Sequence, residues 1–167
     1  IPDDADVEYV YDGLMKLGAD IAVETIDLLL DNDGDVPAQE QEALIPTSEP
    51  LHPAPKIFKE TCQIRWDKPA KAIYDFTRGL SPYPGAWTTL HKDQKATELK
   101  IYKAAKTGKP IGDAKPGSIA TTKKALYVAC ADEWLEIVTL QLAGKKRMDA
   151  SAFINGNKGL ADCTVGE

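Results

Sequence analysis

The spacing of apolar residues predicts helices at the start of the chain and short strands in its second half. From Val7 to Leu17 apolar side chains recur every three or four residues, as on one face of a helix that Gly18 would end. A second helix is predicted from Ala19 to the turn at residues 32–34. Each of these two helices is too small to cover the apolar face of the other. We therefore expect apolar surface to be exposed or to lie in contacts between molecules.

A third helix is predicted over residues 68–79. Asp67 is positioned to cap its first turn, and Pro69 suits that turn because a proline lacks the N–H that would have no partner there. Pro82 prevents extension of the helix beyond Leu80. One side of this helix is apolar, whereas another is mostly basic and consists of Lys68, Lys71, Asp75 and Arg78.

Beyond Ala86 the apolar period becomes two, which is typical of strands. The alternation is seen at residues 99–103, 126–130 and 135–138. In the first segment it places Lys103 on the same face as Leu99 and Ile101. Five or six short strands with an inserted helix predict an α+β fold that contains a small OB-like/Greek-key β-barrel. Asp149 is positioned to cap a last short helix.

Composition and proline content suggest how the chain is divided. It has 167 residues, of which 43% are hydrophobic, enough for one core or for one domain with an appendage. Residues 35–56 contain five prolines and show neither period, which predicts a fairly stiff linker. We therefore expect helices in residues 1–34, the linker, a barrel in residues 57–160 and a tail in residues 161–167.

Charge is distributed unevenly along the chain. Residues 1–55 contain fourteen acidic residues and one lysine, a formal charge of −13, whereas residues 56–167 carry +7. Such asymmetry is expected when only one part of a protein binds a polyanion, although lysines can also simply solvate strand faces. No apolar run approaches the roughly 18 residues of a membrane helix, so no membrane partner is predicted. Three cysteines without a C-x-x-C pair indicate a reducing, cytoplasmic setting.

Residues 78–87 read RGLSPYPGAW and follow Ile64-Arg65-Trp66, and residues 140–148 read LQLAGKKRM. These segments resemble the I-x-W…I-R-A-F-N-P-x-P-G-A-W and L-x-P-A-G-K-K-x-M patterns in the C-terminal domain of the methionyl-tRNA formyltransferase family. The resemblance starts partway through the family's pattern, so residues 1–34 resemble the last two helices of its Rossmann-like catalytic domain. We therefore expect Ile1 to lie within a longer protein.

The resemblance implies that catalysis takes place elsewhere in that longer protein. The family's catalytic Asn, His and Asp and its folate-binding loop lie upstream of the position that matches Ile1, so no catalytic or cofactor-binding residue is expected here. The parent would be a cytoplasmic transferase that moves a formyl group from 10-formyltetrahydrofolate to initiator methionyl-tRNA in translation initiation. It would be monomeric, whereas this inactive part would associate through exposed helix faces.

What remains is a candidate surface for tRNA. Three adjacent cations follow Gly144, and such side chains suit a phosphate backbone. A solvated loop is the alternative that composition favours, and the family resemblance reverses that preference. The candidate tRNA-binding residues are Lys145, Lys146 and Arg147, then Arg78, Lys71 and Lys68, and last Lys100 and Lys103.

Other kinds of site have less support in the sequence. Tyr83, Trp87 and Trp66 could stack on bases, although aromatics beside a Pro-Gly corner are commonly part of a core. His52 and His91 have no Cys, Asp or Glu at ligand spacing, so we expect no metal site. Two alternative functions stay open: part of a related formyltransferase for a small molecule such as an amino sugar nucleotide, and a free-standing RNA-binding module.

Overall fold

The computed structural model describes residues 1–45 and 50–166, which fall into two compact units. One unit comprises Tyr9–Ile57, and the other joins Ile1–Glu8 to Phe58–Glu167. Residues 46–49 of the predicted linker and residue 167 of the predicted tail lie outside the described residues. The first eight residues thus group with the β-rich unit, whereas the sequence groups them with the helical segment.

The prediction of two helices that meet at Gly18 is wrong, because α1 (Val7–Asp31) is one continuous helix. A glycine inside a helix costs only about 1 kcal/mol relative to alanine. Gly18 also lacks the positive φ of a glycine that ends a helix. No residue of α1 is buried, and Leu14 and Leu30 are 63% and 72% exposed. The expected exposed apolar surface is therefore present along α1.

The β-rich unit is built on one curled antiparallel sheet. Its strands are β1 (Ala86–Lys92), β2 (Lys95–Pro110), β3 (Ile119–Thr121), β4 (Leu126–Ala129), β5 (Glu133–Leu142), β6 (Met148–Asp149) and β7 (Thr164–Gly166). Their order is β3-β4-β5-β2-β1-β7, with β6 paired to β5. Helix α2 (Ala70–Gly79) precedes β1, and α3 (Ala150–Gly156) follows β6. The predicted α+β class and small barrel-like domain are confirmed.

Gly117 brings the two ends of the sheet together. Its carbonyl accepts a 2.8 Å hydrogen bond from the Val165 N–H, and Ser118 forms an antiparallel bridge with Thr164. Gly117 has φ +86°, and a Cβ added there would lie 2.2 Å from the Val165 carbonyl oxygen, so only glycine allows this approach. Residues 164–166, which the sequence assigns to a tail, thus form the strand that meets the β3 end of the sheet.

The inner face of the sheet and one side of α2 share a single core. Ile73 of α2 is 3% exposed, and Trp66 donates from Nε1 to Thr88 Oγ1 at 3.0 Å inside it. The strand and helix residues with at most 2% exposure include Leu99, Ile101, Leu126, Leu135, Ile137, Leu140 and Phe153. This packing holds the apolar side of α2 against the sheet and leaves its basic side outward.

Helix α2 is capped by a distant loop, so the predicted cap at Asp67 is wrong. The Ala70 N–H donates to Asp132 Oδ1 at 2.7 Å. Asp67 instead pairs with Arg65 on the surface, at 3.4 Å. The loop that contains Asp132 is also joined to the start of the helix by a 3.0 Å hydrogen bond from the Ala131 N–H to the carbonyl of Lys68.

Candidate nucleic-acid interface

A groove of about 490 Å³ in the β-rich unit is lined by residues from α2, β2, the turn after β5 and the N-terminal segment. Its cations are Arg78 from α2, Lys103 and Lys106 from β2, and Arg147 from the turn. The lining also includes Tyr74, Tyr102 and the acids Asp4, Asp6 and Glu8. The three basic patches that the sequence predicts separately therefore each contribute to one surface.

A bulge in β2 places two consecutive side chains on the groove side of the sheet. Ile101 and Lys103 are paired with β5, whereas Tyr102 between them has no partner in the register. Ile101 and Ala104 are buried, and both residues between them line the groove. Strict alternation would place Lys103 beside Ile101 in the core, and the bulge turns it outward instead.

Tyr102 organises the turn that follows β5. The Arg147 guanidinium lies over its ring, with Cζ 3.6 Å from the centroid, and the Tyr102 hydroxyl donates to Gln141 Oε1 at 2.8 Å. Gln141 Nε2 then donates to the Lys145 carbonyl oxygen, also at 2.8 Å. A stacked guanidinium keeps its edge N–H groups available, so Arg147 is held in place while it can still donate to an anion.

The turn itself presents unpaired positive charge. Lys145, Lys146 and Arg147 are all exposed, and no acidic side chain in the described part of the chain pairs with them. Gly144 has φ +74° with open space around it. Adjacent like charges repel one another, and a nearby anion would relieve that repulsion.

Arg78 is already engaged within the protein. Its Nε donates to Asp75 Oδ1 at 2.8 Å, and Nη1 donates to the Ala5 carbonyl at 3.0 Å. Lys71 bonds the other oxygen of Asp75 at 2.6 Å. The hydrogen bonds from Lys71 and Arg78 lower the pKa of Asp75, and the bond to Asp75 raises the pKa of Arg78. Two of the predicted cations therefore share one carboxylate, which reduces the charge they offer to a ligand.

The N-terminal segment gives one side of the groove a mixed charge. Asp3 Oδ2 lies 2.5 Å from Lys106 Nζ, and the Tyr74 hydroxyl donates to the Asp3 carbonyl at 3.0 Å. The hydrogen bond between Asp3 and Lys106 lowers the pKa of the carboxyl and raises that of the amine. Among the described residues, the cations of the Gly144 turn have no such partner.

Three of the eight predicted cations line this groove, and of the other five, Lys100 and Lys68 make contacts elsewhere. Lys100 donates from Nζ to the Pro84 carbonyl at 3.2 Å. Lys68 lines a second, mostly apolar cavity of about 310 Å³ together with Ile73 and Phe76. The structure therefore gathers Arg78, Lys103 and Arg147, with Lys145 and Lys146 beside them and Lys71 joined through Asp75.

The three free cysteines are buried, and burial raises the pKa of Cys130 to about 12. Among residues 1–45 and 50–166, no three His, Cys, Asp or Glu side chains are grouped so that they could hold a metal ion. In the same residues no helix has the length and apolarity to cross a membrane.

Comparison with known proteins identifies the domain that carries the groove. The family described as "Formyl transferase, C-terminal domain" matches residues 56–158. The chain belongs to this family. All eight predicted cations lie inside the matched residues of the formyl transferase C-terminal domain, whereas the acids of residues 3–8 lie outside them.

The related proteins are about twice as long as this chain. Methionyl-tRNA formyltransferase of Parabacteroides distasonis is 52% identical over 99% of the chain and 51% of its own length. The proteins of that name from Phocaeicola vulgatus and Bacteroides fragilis are 48% and 44% identical over 93% of the chain and 48% of their own lengths. The chain thus spans about half the length of the curated relatives it matches.

The fold is also similar to that of a solved structure. A HypX variant from Aquifex aeolicus matches with a TM-score of 0.51 at 20% identity, over 81% of this chain and 23% of that one. At this identity the likeness concerns the fold alone.

The sequence-based prediction does not include Lys106 or Tyr102, which line the groove of the formyl transferase domain, or Gln141, which contacts the adjoining turn. Lys106 lies on the same strand as Lys103, and its lysine-rich neighbourhood was the available signal. Tyr102 is bonded to Gln141, 39 residues away in the chain, and Gln141 is bonded to Lys145 of the Gly144 turn, four residues away. No pattern in the sequence predicts those contacts.

The three candidate stacking aromatics have different surroundings. Trp66 is 4% exposed and belongs to the core. Trp87 donates from Nε1 to the Lys59 carbonyl at 2.7 Å and has the Lys59 amine 5.6 Å from its ring centroid. Tyr83 is 84% exposed.

Proposed function

We propose that this chain is the C-terminal, tRNA-binding part of a methionyl-tRNA formyltransferase. The names of the relatives support the parent activity, and the half-length match supports a part of a larger protein. The parent enzyme would transfer a formyl group from 10-formyltetrahydrofolate to initiator methionyl-tRNA in the cytoplasm. The catalytic and folate-binding groups would lie in the other half, so this chain supplies position and no chemistry.

The observation that carries the RNA-binding role is the convergence of cations on one groove. Arg78, Lys103 and Arg147 are far apart in sequence and line the same surface, next to the unpaired Lys145 and Lys146. Exposed cations along a concave surface suit a phosphate backbone, whose neutralisation dominates RNA affinity. The OB-like character predicted from the sequence agrees with such a role.

The eight residues are proposed to contribute unequally. Lys145, Lys146, Arg147 and Lys103 would contact phosphates directly, because they have no acidic partner in the described chain. Arg78 and Lys71 would add less, since Asp75 neutralises part of their charge. Lys100 and Lys68 do not line the groove and would contact only an RNA that extends past the lining residues.

Domain organisation follows from the same proposal. Residues 57–160 together with β7 would form the RNA-binding barrel, and residues 35–56 would form the connection. Residues 1–34 would be the end of the catalytic part, although the first eight of them group with the barrel. In the whole enzyme, the rest of the catalytic part would cover the exposed apolar face of α1. In this chain alone, the same face would favour association between molecules.

The test is the effect of salt on tRNA affinity. Changing Lys145, Lys146 and Arg147 together to Ala should weaken binding and make the slope of log K against log salt shallower by about 2 to 3, the loss expected for three phosphate contacts. The matched control changes three other exposed lysines, Lys115, Lys123 and Lys124, and should leave the slope almost unchanged.

Each outcome has a defined meaning. Equal effects of the two triple variants would show that only net charge matters and would remove the proposed interface. A chain that binds no tRNA at any salt concentration would support the small-molecule alternative instead.

A further inference from the structure

We propose that Tyr83 forms a stacking site for an unpaired nucleobase at the rim of the groove, and this rests on the RNA-binding function proposed above. Tyr83 is 84% exposed, more than any other aromatic side chain in the described part of the chain. A tyrosine ring presents two flat apolar faces, and nucleobases stack on such faces.

In the described part of the chain no cation lies over the ring of Tyr83, unlike the rings of three other tyrosines of the β-rich unit. Tyr74, Tyr102 and Tyr127 each have a cationic group between 3.6 and 5.8 Å from the ring centroid. Within residues 1–45 and 50–166, no cation lies over Tyr83 and its hydroxyl has no hydrogen-bond partner. Both faces of this ring are therefore open to a planar ligand.

The backbone beneath Tyr83 is held on both sides. The Gly85 N–H donates to the Leu80 carbonyl at 2.8 Å, and Lys100 donates to the Pro84 carbonyl at 3.2 Å. Gly85 has φ +87°, and a Cβ added there would lie 3.3 Å from the Tyr102 ring, so the corner packs closely on β2. Because the corner is ordered before binding, a base that stacks on it costs little conformational entropy.

The position of the corner indicates a nucleobase as the ligand. Ser81 and Pro82 line the groove together with Tyr102 and Arg147. Phosphates that follow the cations would bring bases past Tyr83, and an aromatic beside a cationic groove is how proteins hold unstacked bases without sequence preference. Bases inside a duplex are already stacked, so the ligand must be a single-stranded part of the RNA.

The experiment compares Tyr83→Ala, Tyr83→Phe and the control Tyr11→Ala in the full 167-residue chain. The ligands are tRNA and a short blunt-ended RNA duplex. Tyr83→Ala should weaken tRNA binding by about 5- to 150-fold, the range of one lost stacking contact. Duplex binding should not change. Tyr83→Phe and Tyr11→Ala should bind tRNA as the unchanged chain does, and the salt slope should stay constant because no charge is lost.

Thermal melting serves as the folding control, since an exposed ring contributes little to stability. If Tyr83→Ala binds tRNA as well as the unchanged chain does, the stacking site is overturned while RNA binding stands. An equal loss for tRNA and duplex also overturns it, because the ring would then not act on an unpaired base. If the unchanged chain binds neither ligand, the proposed function itself fails.

Discussion

Because Asp132 caps α2, removing its carboxylate should destabilise the protein. The sequence pattern would instead predict that loss for Asp67. Asp132→Ala removes the acceptor that lies 2.7 Å from the part-buried Ala70 N–H. It also removes the 2.8 Å hydrogen bond from the Glu133 N–H to the same oxygen. Loss of a helix N-cap costs about 0.5–2 kcal/mol. With two bonds lost, we expect the free energy of unfolding to fall by about 2 kcal/mol, the top of that range.

The assay is thermal and denaturant unfolding followed by circular dichroism. For a unit of this size about 1 kcal/mol corresponds to roughly 4 °C, so Asp132→Ala should lower Tm by about 8 °C. Asp132→Asn keeps a capping oxygen and should lose less than half of this. Asp67→Ala is the matched control, because its surface pair with Arg65, at 3.4 Å, is worth less than about 1 kcal/mol.

Two results would refute this reasoning. One is a larger loss of unfolding free energy for Asp67→Ala than for Asp132→Ala, which would show that Asp67 caps the helix as the sequence predicts. The other is a loss below about 0.5 kcal/mol for Asp132→Ala, which would mean that water replaces the carboxylate at no cost.

Three further outcomes are expected. Gly117→Ala should destabilise the chain more than Gly108→Ala in denaturant titrations: both have positive φ, worth about 1–2 kcal/mol for alanine, but only at Gly117 does a Cβ meet a carbonyl oxygen, at 2.2 Å. The hydrogen bonds from Lys71 and Arg78 lower the pKa of Asp75, so its stabilising effect is complete above the unfolded pKa of about 3.9 and is lost as pH falls through the lower folded pKa. The Tm difference between the unchanged chain and Asp75→Asn should therefore be constant near neutral pH and disappear in acid; a difference that grows in acid would contradict this. Burial raises the pKa of Cys130 to about 12, so a thiol reagent at pH 8 should leave it unmodified until the chain is denatured, and rapid labelling of folded protein would contradict this.

Local pattern was enough to predict much of the secondary structure. The helix expected at residues 68–79 is α2 at Ala70–Gly79. The alternating segments coincide with parts of β2, β4 and β5, and only residue 130 lies beyond the end of its strand. These features depend on which face of an element is buried, and that information is carried by residues two to four positions apart. The sequence analysis missed the continuity of α1 at Gly18. A glycine ends a helix only if its backbone adopts the left-handed conformation, and the sequence does not show which conformation it adopts.

The contacts that shape the groove depend on residues far apart in sequence. Asp132 caps a helix 62 residues upstream, and Tyr102 fixes Gln141 39 residues downstream. The bulge that turns Lys103 outward comes from a register shift against β5. The sequence of β2 alone does not determine that register. The cationic residues could therefore be predicted by type, whereas their convergence could not.

Under the proposed RNA-binding function, the distribution of charge within the groove also constrains the path of the RNA. At about 0.1 M salt, charges act over roughly 10 Å, so the net charge of −6 matters less than the groups that line the surface. Residues 3–8 contribute Asp4, Asp6 and Glu8 to one part of that lining, and the Gly144 turn contributes Arg147 next to two unpaired lysines. A phosphate backbone is repelled by the first group and attracted by the second. The RNA should therefore lie toward the Gly144 turn, with residues 3–8 marking the limit of its path.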